Sequence, residues 1–423
     1  MKRLLIISPH FPPVNAPDHQ RVRMLLPYFE ENGWKAEVLA VAASSVKAPC
    51  DVSQTGTIPE NISVHRVKAI SPQIIGYLGF DNLSLRSLSA LKRRGNQLLQ
   101  NHSYDLVFFS TTQKRCLRLG PYWLKKFKIP FAVDIQDPLV NHFYRQTGTP
   151  PPGGRIKFAL SQQLGRSIEN HVLTRASCLI TVSNPYLHEI RSRVRELSLE
   201  HAHVIPFPYS TIDQKMARHR QLPAWAKDTR RRIILSAGRA GDDLGLAHRA
   251  FFKALKAWDK TEEFSACFVG TTYGKAADRV QRVAPLASKI SSRITVAEIP
   301  ERQPLLDVIR AQNHAALNSV FGSSDTRYTA SKLLPVLAAG RPVLAILNKD
   351  SPAAAFLERV APVFLCSFHT EETEETLAPR ILEKLKKLLN PSGEFTVNWQ
   401  DLDQLEARQQ AASLSRYFNQ AIS

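Results

Sequence analysis

The chain has no run of apolar residues that approaches the roughly 18 needed to cross a membrane as a helix. Its first residues, Met1-Lys-Arg-Leu-Leu-Ile-Ile-Ser8, contain only four consecutive apolar side chains, fewer than the core of a secretion signal requires. This stretch instead predicts a first buried strand. We therefore expect a globular protein without a membrane span or a signal peptide.

Cysteines are scarce and scattered along the chain. The five of them are odd in number and never form a Cys-x-x-Cys pair; they are Cys50, Cys116, Cys178, Cys267 and Cys366. This arrangement disfavours both a disulfide framework and a structural zinc site. It predicts a reducing compartment, and hence a cytoplasmic protein.

Acidic residues are outnumbered, with 37 Asp and Glu against 56 Lys and Arg and a net charge of +19. The excess is concentrated between Arg86 and Lys128, where ten basic residues accompany one acid, Asp105. An anionic membrane surface, nucleic acid and a solvated face are the three interpretations. The few aromatic residues here include Tyr104 to Phe109, which have the pattern of a buried strand, so a platform for stacked bases is disfavoured. We favour the membrane over nucleic acid, and the solvated face stays open.

A chain of 423 residues is too long for one core of usual size, and two domains of about 200 residues are the default. We predict a first domain at 1–208, a linker at 209–229, a second domain at 230–395 and a final helical segment at 396–423. Short apolar strands alternate with helical segments, which is the βαβ rhythm of a parallel sheet. The predicted strands are Arg3–Ser8, Val38–Val41, Ile62–Val67, Asp105–Ser110, Phe131–Ile135, Cys178–Val182 and His203–Pro208 in the first half, and Arg232–Ala237, Phe264–Gly270, Ile294–Ile299, Ala315–Ser319, Val343–Ile346 and Pro362–Cys366 in the second. The predicted fold class is α/β with two Rossmann-like domains.

The stretch Thr329–Ile346 is the most informative part of the sequence. Thr329 or Ser331 is placed to cap a short helix, and Lys332 follows in its first turn. The dipole of a helix disfavours a cation at that place, so Lys332 points to an anion bound at the helix start. An ordinary βα unit without a ligand is the alternative. Gly340 ends the helix, and the apolar run after it has the composition of a strand buried on both faces.

Candidate site residues of the first half follow its strands, because open α/β sheets bind ligands beyond the carboxyl ends of the strands. His10 lies in a proline-rich loop after the first strand, and a loop histidine without chemistry is the alternative. Asp134 and Asp137 bracket the end of the strand Phe131–Ile135. A carboxylate there can act as a base or orient a hydroxyl group, and we favour Asp137 because it lies farther past the strand. The alternative for Asp137 is a turn or helix cap ahead of Pro138.

In the second half, Gly238–Leu246 is a glycine-rich turn between a strand and a helix. Backbone amides and Arg239 can reach phosphate groups from such a turn. A surface arginine is the alternative for Arg239. The loop Phe321–Tyr328 contains glycine and serine, which allow a ligand to approach the backbone closely.

These segments resemble the GT-B glycosyltransferases of family 4, which are retaining enzymes. The resemblance is carried by Ser331-Lys332 with Ala338-Ala-Gly-Arg-Pro-Val343, by Gly238-Arg239 and by Asp134-Ile-Gln-Asp-Pro138, and it covers nearly the whole chain in order. It implies two Rossmann-like domains that face a cleft, with a last helix that crosses back to the first domain.

The resemblance also implies an activity, the transfer of a sugar from a nucleotide-diphosphate donor to an acceptor with retention at the anomeric carbon. No metal and no further cofactor are implied, because cations rather than an Asp-x-Asp cluster would neutralise the leaving diphosphate. The donor would be held by Arg239, Lys332 and backbone amides near Ser331, and the acceptor would lie near Asp137 or His10, with Asp134 in support.

Three positions on the donor side depart from the family pattern. Pro335 and Arg327 stand where family members carry a Glu, and Leu244 stands where they carry a Lys. The ribose hydroxyls then need other partners, and Asp325 or Tyr328 in the preceding loop are the nearest side chains able to serve.

The acceptor implied by the resemblance is a glycan or a lipid-linked glycan of polysaccharide biosynthesis. The basic stretch would then dock the protein on the inner face of an anionic membrane. Two rival classes share the fold. One is a GT-B nucleotide-sugar epimerase, and the other is a non-catalytic GT-B-like binding or scaffold protein, which the three departures favour.

Overall fold

The computed structural model describes residues 1–71, 82–140, 154–198, 200–228, 230–272, 280–327, 332–390, 395 and 397–423. The chain divides into two compact units, Met1–Pro208 with Ala407–Ser423, and Tyr209–Glu406. Residues 209–228, predicted as a linker, belong to the second unit and include a helix, Thr211–Arg218. Residues 397–406 also belong to the second unit.

Each unit is built on one parallel sheet. The strands of the first unit are β1 Lys2–Ile7, β2 Trp34–Val41, β3 Val64–Val67, β4 Leu106–Ser110, β5 Phe131–Ile135, β6 Cys178–Thr181 and β7 Ala202–Val204. Those of the second unit are β8 Arg232–Ala237, β9 Phe264–Val269, β10 Thr295–Ile299, β11 Leu317–Phe321, β12 Val343–Asn348 and β13 Leu365–Phe368. The order is β3-β2-β1-β4-β5-β6-β7 in the first sheet and β10-β9-β8-β11-β12-β13 in the second. The α/β class is confirmed, and each predicted strand overlaps a strand of these sheets. The overlap is shortest for two of them, since Pro362–Phe364 forms a 3-10 helix ahead of β13 and the predicted strand His203–Pro208 ends at Val204.

Helices connect the strands. In the described residues they are α1 Gln20–Leu25, α2 Leu83–Asn101, α3 Leu119–Phe127, α4 Arg155–Val172, α5 Asn184–Arg193, α6 Thr211–Arg218, α7 Gly245–Ala257, α8 Ala284–Ile290, α9 Leu305–His314, α10 Leu333–Ala338, α11 Pro352–Val360, α12 Glu374–Leu388, α13 Trp399–Asp403 and α14 Ala407–Ile422. None of these helices is both long and apolar enough to span a membrane.

The central strands are buried on both faces. Every residue of β4, β5 and β12 is buried, as expected for parallel strands covered by helices on either side. This is why their sequences are continuous apolar runs rather than alternating patterns.

The last helix, α14, returns to the first unit as predicted. Its Phe418 is fully buried, with its ring centroid 6.4 Å from that of Phe29, 5.8 Å from Trp34 and 5.0 Å from Phe108. Aromatic contacts at these distances add to the free energy gained from burial. The helix therefore completes the core beneath the first sheet.

Candidate functional site

Each sheet has one point where the chain connections change direction. In the first sheet β1 lies between β2 and β4, and in the second β8 lies between β9 and β11. The crevice beyond the carboxyl ends of the strands at such a point is the usual ligand site of open α/β sheets. His10 and Arg239 follow the first strand of their sheets and Asp137 follows β5, so three of the predicted site residues lie at these edges.

The loop after β1 holds a histidine–aspartate pair. His10 Nδ1 lies 2.9 Å from Asp18 Oδ1. The other oxygen, Oδ2, accepts hydrogen bonds from the Thr111 hydroxyl (3.2 Å) and from the Thr112 amide (3.3 Å) and hydroxyl (3.1 Å). Although burial acts to raise the pKa of Asp18, the hydrogen bond and charge of His10 hold it below its usual value. Asp18 is thus an anion that orients the His10 ring.

Asp134 lies deeper in the same network. Its side chain is fully buried and forms an ion pair with Arg21, with 3.0 Å between Arg21 Nε and Asp134 Oδ2. Gln136 Nε2 donates to Asp134 Oδ2 at 3.0 Å and to the carbonyl oxygen of Asp18 at 3.0 Å. Asp134 therefore supports the loop that carries Asp18 and His10, a positioning role consistent with its burial.

Asp137 is exposed just beyond β5. The surrounding protein nevertheless desolvates its charged form, and this effect, followed by the negative charge of Asp18, raises the pKa of Asp137 against the opposing charge of Lys114. A raised pKa makes a carboxylate a stronger general base.

In the second unit a small cavity lies between the ends of β8 and β11. It is lined by residues that include Gly238, Arg239, Phe321 and Lys332. A Cβ atom at Gly238 would come within 2.4 Å of Lys332 Nζ, so glycine at this position leaves room for the lysine. Burial, followed by the charges of Arg302 and Arg239, lowers the pKa of Lys332 to about 7.

Arg239 forms an ion pair with Asp243, which lies in the same turn. Its two terminal nitrogens each lie 2.6 Å from an oxygen of Asp243. Burial acts to raise the pKa of Asp243, but the hydrogen bonds and charge of Arg239 lower it, so the pair is ionic. A phosphate group that binds Arg239 has to replace or share this carboxylate.

Of the two side chains predicted to bind the ribose hydroxyls, the structure describes Asp325. Asp325 forms a two-pronged ion pair with Arg327, with Arg327 Nε 3.0 Å from Asp325 Oδ1 and its terminal nitrogen 2.9 Å from Oδ2. Pro335 occupies the third position of α10, where a missing N–H costs no helical hydrogen bond. Tyr328 and Ser331 lie outside the described residues.

The helix of the central stretch is short. It begins at Leu333 with Lys332 at the N-cap position, and Gly340 follows it with φ of +66°. The predicted helix end at Gly340 is confirmed. The predicted cap at Thr329 or Ser331 lies outside the described residues.

Several partners in these networks were not predicted from the sequence. They are Asp18, Thr111 and Thr112 in the first unit and Asp243 and Arg302 in the second. Thr111 and Thr112 directly follow β4, so the rule that ligands bind beyond the carboxyl ends of strands would have found them. Asp18 lies near the end of the loop that follows β1, so the same rule marks its loop, but no local pattern in the sequence pairs it with His10.

The chain contains one Asp-x-Asp sequence, Asp401-Leu402-Asp403 in α13, which the prediction of a metal-free site overlooked. Asp401 forms an ion pair with Arg359 at 2.8 Å, and Asp403 accepts a hydrogen bond from the Tyr209 hydroxyl at 3.1 Å. Both carboxylates therefore have structural partners. The described ranges hold no group of three or more His, Cys, Asp and Glu side chains arranged to bind a metal.

The sequence matches no protein-family model and no curated protein sequence. Solved structures, in contrast, share its fold over nearly the whole length. HepE from Anabaena, in complex with UDP and glucose, is 14% identical, with 98% of this chain and 95% of that chain covered and a TM-score of 0.57. The α,α-trehalose-6-phosphate synthase of Burkholderia multivorans is 12% identical, with 99% and 98% covered and a TM-score of 0.61.

A third structure is the N-terminal domain of a trehalose-6-phosphate phosphatase from Candida albicans. It is 11% identical, with 100% of this chain and 97% of that chain covered and a TM-score of 0.63. Identities this low show the fold alone. The fold is the GT-B fold that the sequence resemblance implies.

Proposed function

We propose that the protein is a glycosyltransferase that moves a sugar from a nucleotide-diphosphate donor to a glycan or lipid-linked acceptor, with retention and without a metal. The observation that carries the proposal is the pair of cations, Lys332 and Arg239, at the point in the second sheet where the connections change direction. The shared fold with HepE, whose structure contains UDP and glucose, makes a UDP-sugar the first donor to test.

The cations suit the charge that develops in such a transfer. The bond between the anomeric carbon and the diphosphate oxygen breaks, its electron pair leaves with the diphosphate, and the acceptor hydroxyl oxygen bonds to the carbon. With retention, the proton of the acceptor passes to the departing oxygen on the same face. Lys332 and Arg239 would stabilise the growing negative charge of the diphosphate.

The acceptor is assigned to the first unit on the basis of His10. Because Asp18 binds Nδ1 of its ring, Nε2 is left to form a hydrogen bond with an acceptor hydroxyl. Asp137, with its raised pKa, is the second group we assign to the acceptor. Asp134 acts through Gln136 and touches no ligand in this scheme.

We assign membrane docking to a basic face formed by exposed residues of α2, α3 and the residue after α3, namely Lys92, Arg93, Lys125, Lys126 and Lys128. Lys92 Nζ lies 4.0 Å from the ring centroid of Tyr122, which joins the two helices. Arg86 is excluded from this face, because it is buried and donates to the carbonyl oxygens of Ile70 and Ser45. Anionic lipid at the cytoplasmic face of a membrane would attract such a cluster.

A non-catalytic nucleotide-binding role is the second candidate. It is favoured by the ion pair between Asp325 and Arg327, because this pair occupies the carboxylate that we expected to bind ribose. Such a protein would bind nucleotide and transfer nothing.

Calorimetry with UDP, GDP, ADP and dTDP is the first test, with Lys332→Gln as the matched variant. Absence of binding at millimolar concentration removes the proposal. Binding is then followed by incubation of each nucleotide sugar with glycan acceptors and with a metal chelator. The anomeric configuration of the product, read by NMR, decides between retention and inversion, and inversion would make His10 the base.

The remaining outcomes separate the rival classes. Binding without any turnover supports the non-catalytic role. Conversion of the donor sugar into its epimer in the absence of acceptor supports the epimerase.

A further inference from the structure

A second cavity, of about 400 Å³, lies at the opposite edge of the second sheet. Arg232 is the first residue of β8, Ala316 directly precedes β11, and Arg341 lies two residues before β12. At about 3.3 Å per residue, the six residues of β8 (Arg232–Ala237) put roughly 17 Å between this edge and the end near Gly238. The cavity is therefore separate from the one that contains Lys332.

The lining of this cavity is strongly basic. Four arginines and a histidine surround it, and the one acid among its lining residues is Asp228; the basic residues are Arg230, Arg231, Arg232, His314 and Arg341. The carboxylate of Asp228 accepts the backbone amides of Arg230 (2.8 Å) and Arg231 (3.0 Å), which lower its pKa. In the described residues, no carboxylate forms an ion pair with any of the four guanidinium groups.

Three of these arginines are held in place by contacts that leave their terminal nitrogens available. Arg341 Nε donates to the carbonyl oxygen of Ala315 at 2.8 Å, and Arg231 Nε donates to that of Glu262 at 3.1 Å. The guanidinium of Arg232 lies 5.0 Å from the ring centroid of Phe264. The terminal N–H groups of a guanidinium anchored in this way can donate hydrogen bonds to a ligand. Because the side chain is already ordered, little further side-chain entropy is lost on binding.

We propose that this cavity binds a soluble small molecule that carries two or more phosphate groups. Clustered positive charges repel one another, and a bound polyanion offsets this unfavourable electrostatic energy. Guanidinium forks match phosphate oxygens two at a time, so four of them suit several phosphates better than one carboxylate. The volume lies in the range of small-molecule sites. The proposal uses no residue of the proposed donor site and does not depend on it.

The test uses inorganic tripolyphosphate as the probe, titrated calorimetrically into the full chain at about 0.1 M salt, where charges on an open surface are screened beyond roughly 10 Å. We expect Arg231→Gln with Arg341→Gln to weaken binding at this cavity at least tenfold, because hydrogen bonds between charged groups are lost. Lys332→Gln with Arg239→Gln should leave this binding event intact. Arg155→Gln with Arg166→Gln, which removes two exposed arginines of α4, controls for general loss of charge.

The outcomes are separable. Unchanged affinity in the cavity variant, or an equal loss in the α4 control, overturns the proposal. Loss only in the Lys332 and Arg239 variant assigns the probe to the donor site and also overturns it. Binding of phosphatidylinositol bisphosphate vesicles that the cavity variant loses, without binding of tripolyphosphate, assigns the cavity to a lipid head group instead and overturns the proposal. Circular dichroism shows whether a loss of affinity in the cavity variant reflects misfolding. Arg231→Lys with Arg341→Lys keeps the positive charge but loses the guanidinium fork, and it should also bind more weakly than the wild type.

Discussion

Lys332 carries a charge that its surroundings oppose. Burial and the neighbouring arginines Arg302 and Arg239 lower its pKa to about 7. Below that pH the amine is a cation that attracts a diphosphate, and above it the amine becomes neutral. A bound diphosphate favours the charged form, so binding above pH 7 has to take up a proton.

This linkage gives a measurable pH dependence. A nucleotide sugar keeps the charge of its diphosphate between pH 6 and pH 8.5, so we expect its affinity to fall by up to about tenfold per pH unit above 7. Calorimetry in two buffers of different ionisation enthalpy measures the proton uptake. Lys332→Gln should bind weakly at every pH, whereas Lys332→Arg should bind without the decline. A wild-type affinity that is constant from pH 6 to pH 8.5 contradicts the prediction.

Asp18 is 2% exposed and is expected to act only through His10. Asp18→Asn should lower kcat by about 10²-fold, because it misplaces the ring that positions the acceptor hydroxyl, and should leave the donor KM unchanged. If Asp18 acts through His10, the double variant Asp18→Asn with His10→Gln is no slower than His10→Gln alone. Losses that add in full would show that the two residues act independently. Thr112→Val, which removes one hydrogen bond to Asp18, serves as the milder control.

Among individual residues, the sequence predicted candidates that follow strands but not the side chains that form hydrogen bonds or ion pairs with them. His10, Asp137 and Arg239 were predicted because each comes just after an apolar run. The contact between Asp18 and Thr111 joins positions 93 residues apart, and no local pattern encodes it. The pairing of Asp325 with Arg327 was also missed, because a short loop can place such side chains in several ways.

At the scale of elements, the turn between β8 and α7 depends on Gly238. A methyl group there would overlap Lys332 Nζ, so Gly238→Ala should displace the lysine and weaken nucleotide-sugar binding about as much as Lys332→Gln. The loss in the double variant should equal the loss in either single variant, because both act on one contact. Equilibrium titration of the four proteins completes the cycle. Additive losses would separate the glycine from the lysine.

The basic face of α2 and α3 gives a second prediction for elements. Lys92→Glu with Lys126→Glu should reduce co-sedimentation with anionic liposomes at about 0.1 M salt, since each basic residue near the surface contributes roughly 1 kcal/mol. The matched control is Lys256→Glu with Lys289→Glu, which makes the same change of charge at exposed positions of the second unit. If wild-type protein binds neutral and anionic liposomes equally, the docking proposal fails.

The central strands could be predicted from the sequence. Each central strand is a short apolar run because helices cover both of its faces. The segment 209–229 lacks such a run, and the eight-residue helix α6 within it was not predicted. A helix of two turns depends on packing more than on its own sequence pattern.

For the whole molecule, the two units have separate cores, and unfolding need not be a single transition. Phe418→Ala should destabilise the first unit by about 3–5 kcal/mol, since a fully buried aromatic ring is lost. Leu377→Ala, at a fully buried position of the second unit, is the matched control. Scanning calorimetry should show each variant moving a different transition. Equal shifts of all transitions would show that the units unfold together.

The membership of α14 in the first unit also sets an order of events during synthesis. The seven strands of the first sheet leave the ribosome before the second unit, but the helix that covers Phe29, Trp34 and Phe108 follows only after Glu406. Part of the apolar surface of the nascent first unit therefore stays exposed while some 200 further residues are translated, at about 5–20 residues per second. The second unit is continuous in sequence, so its core can form as soon as its own residues have been translated. The earliest part of the chain to be made is thus the last to be finished, and it is the part most in need of chaperone protection.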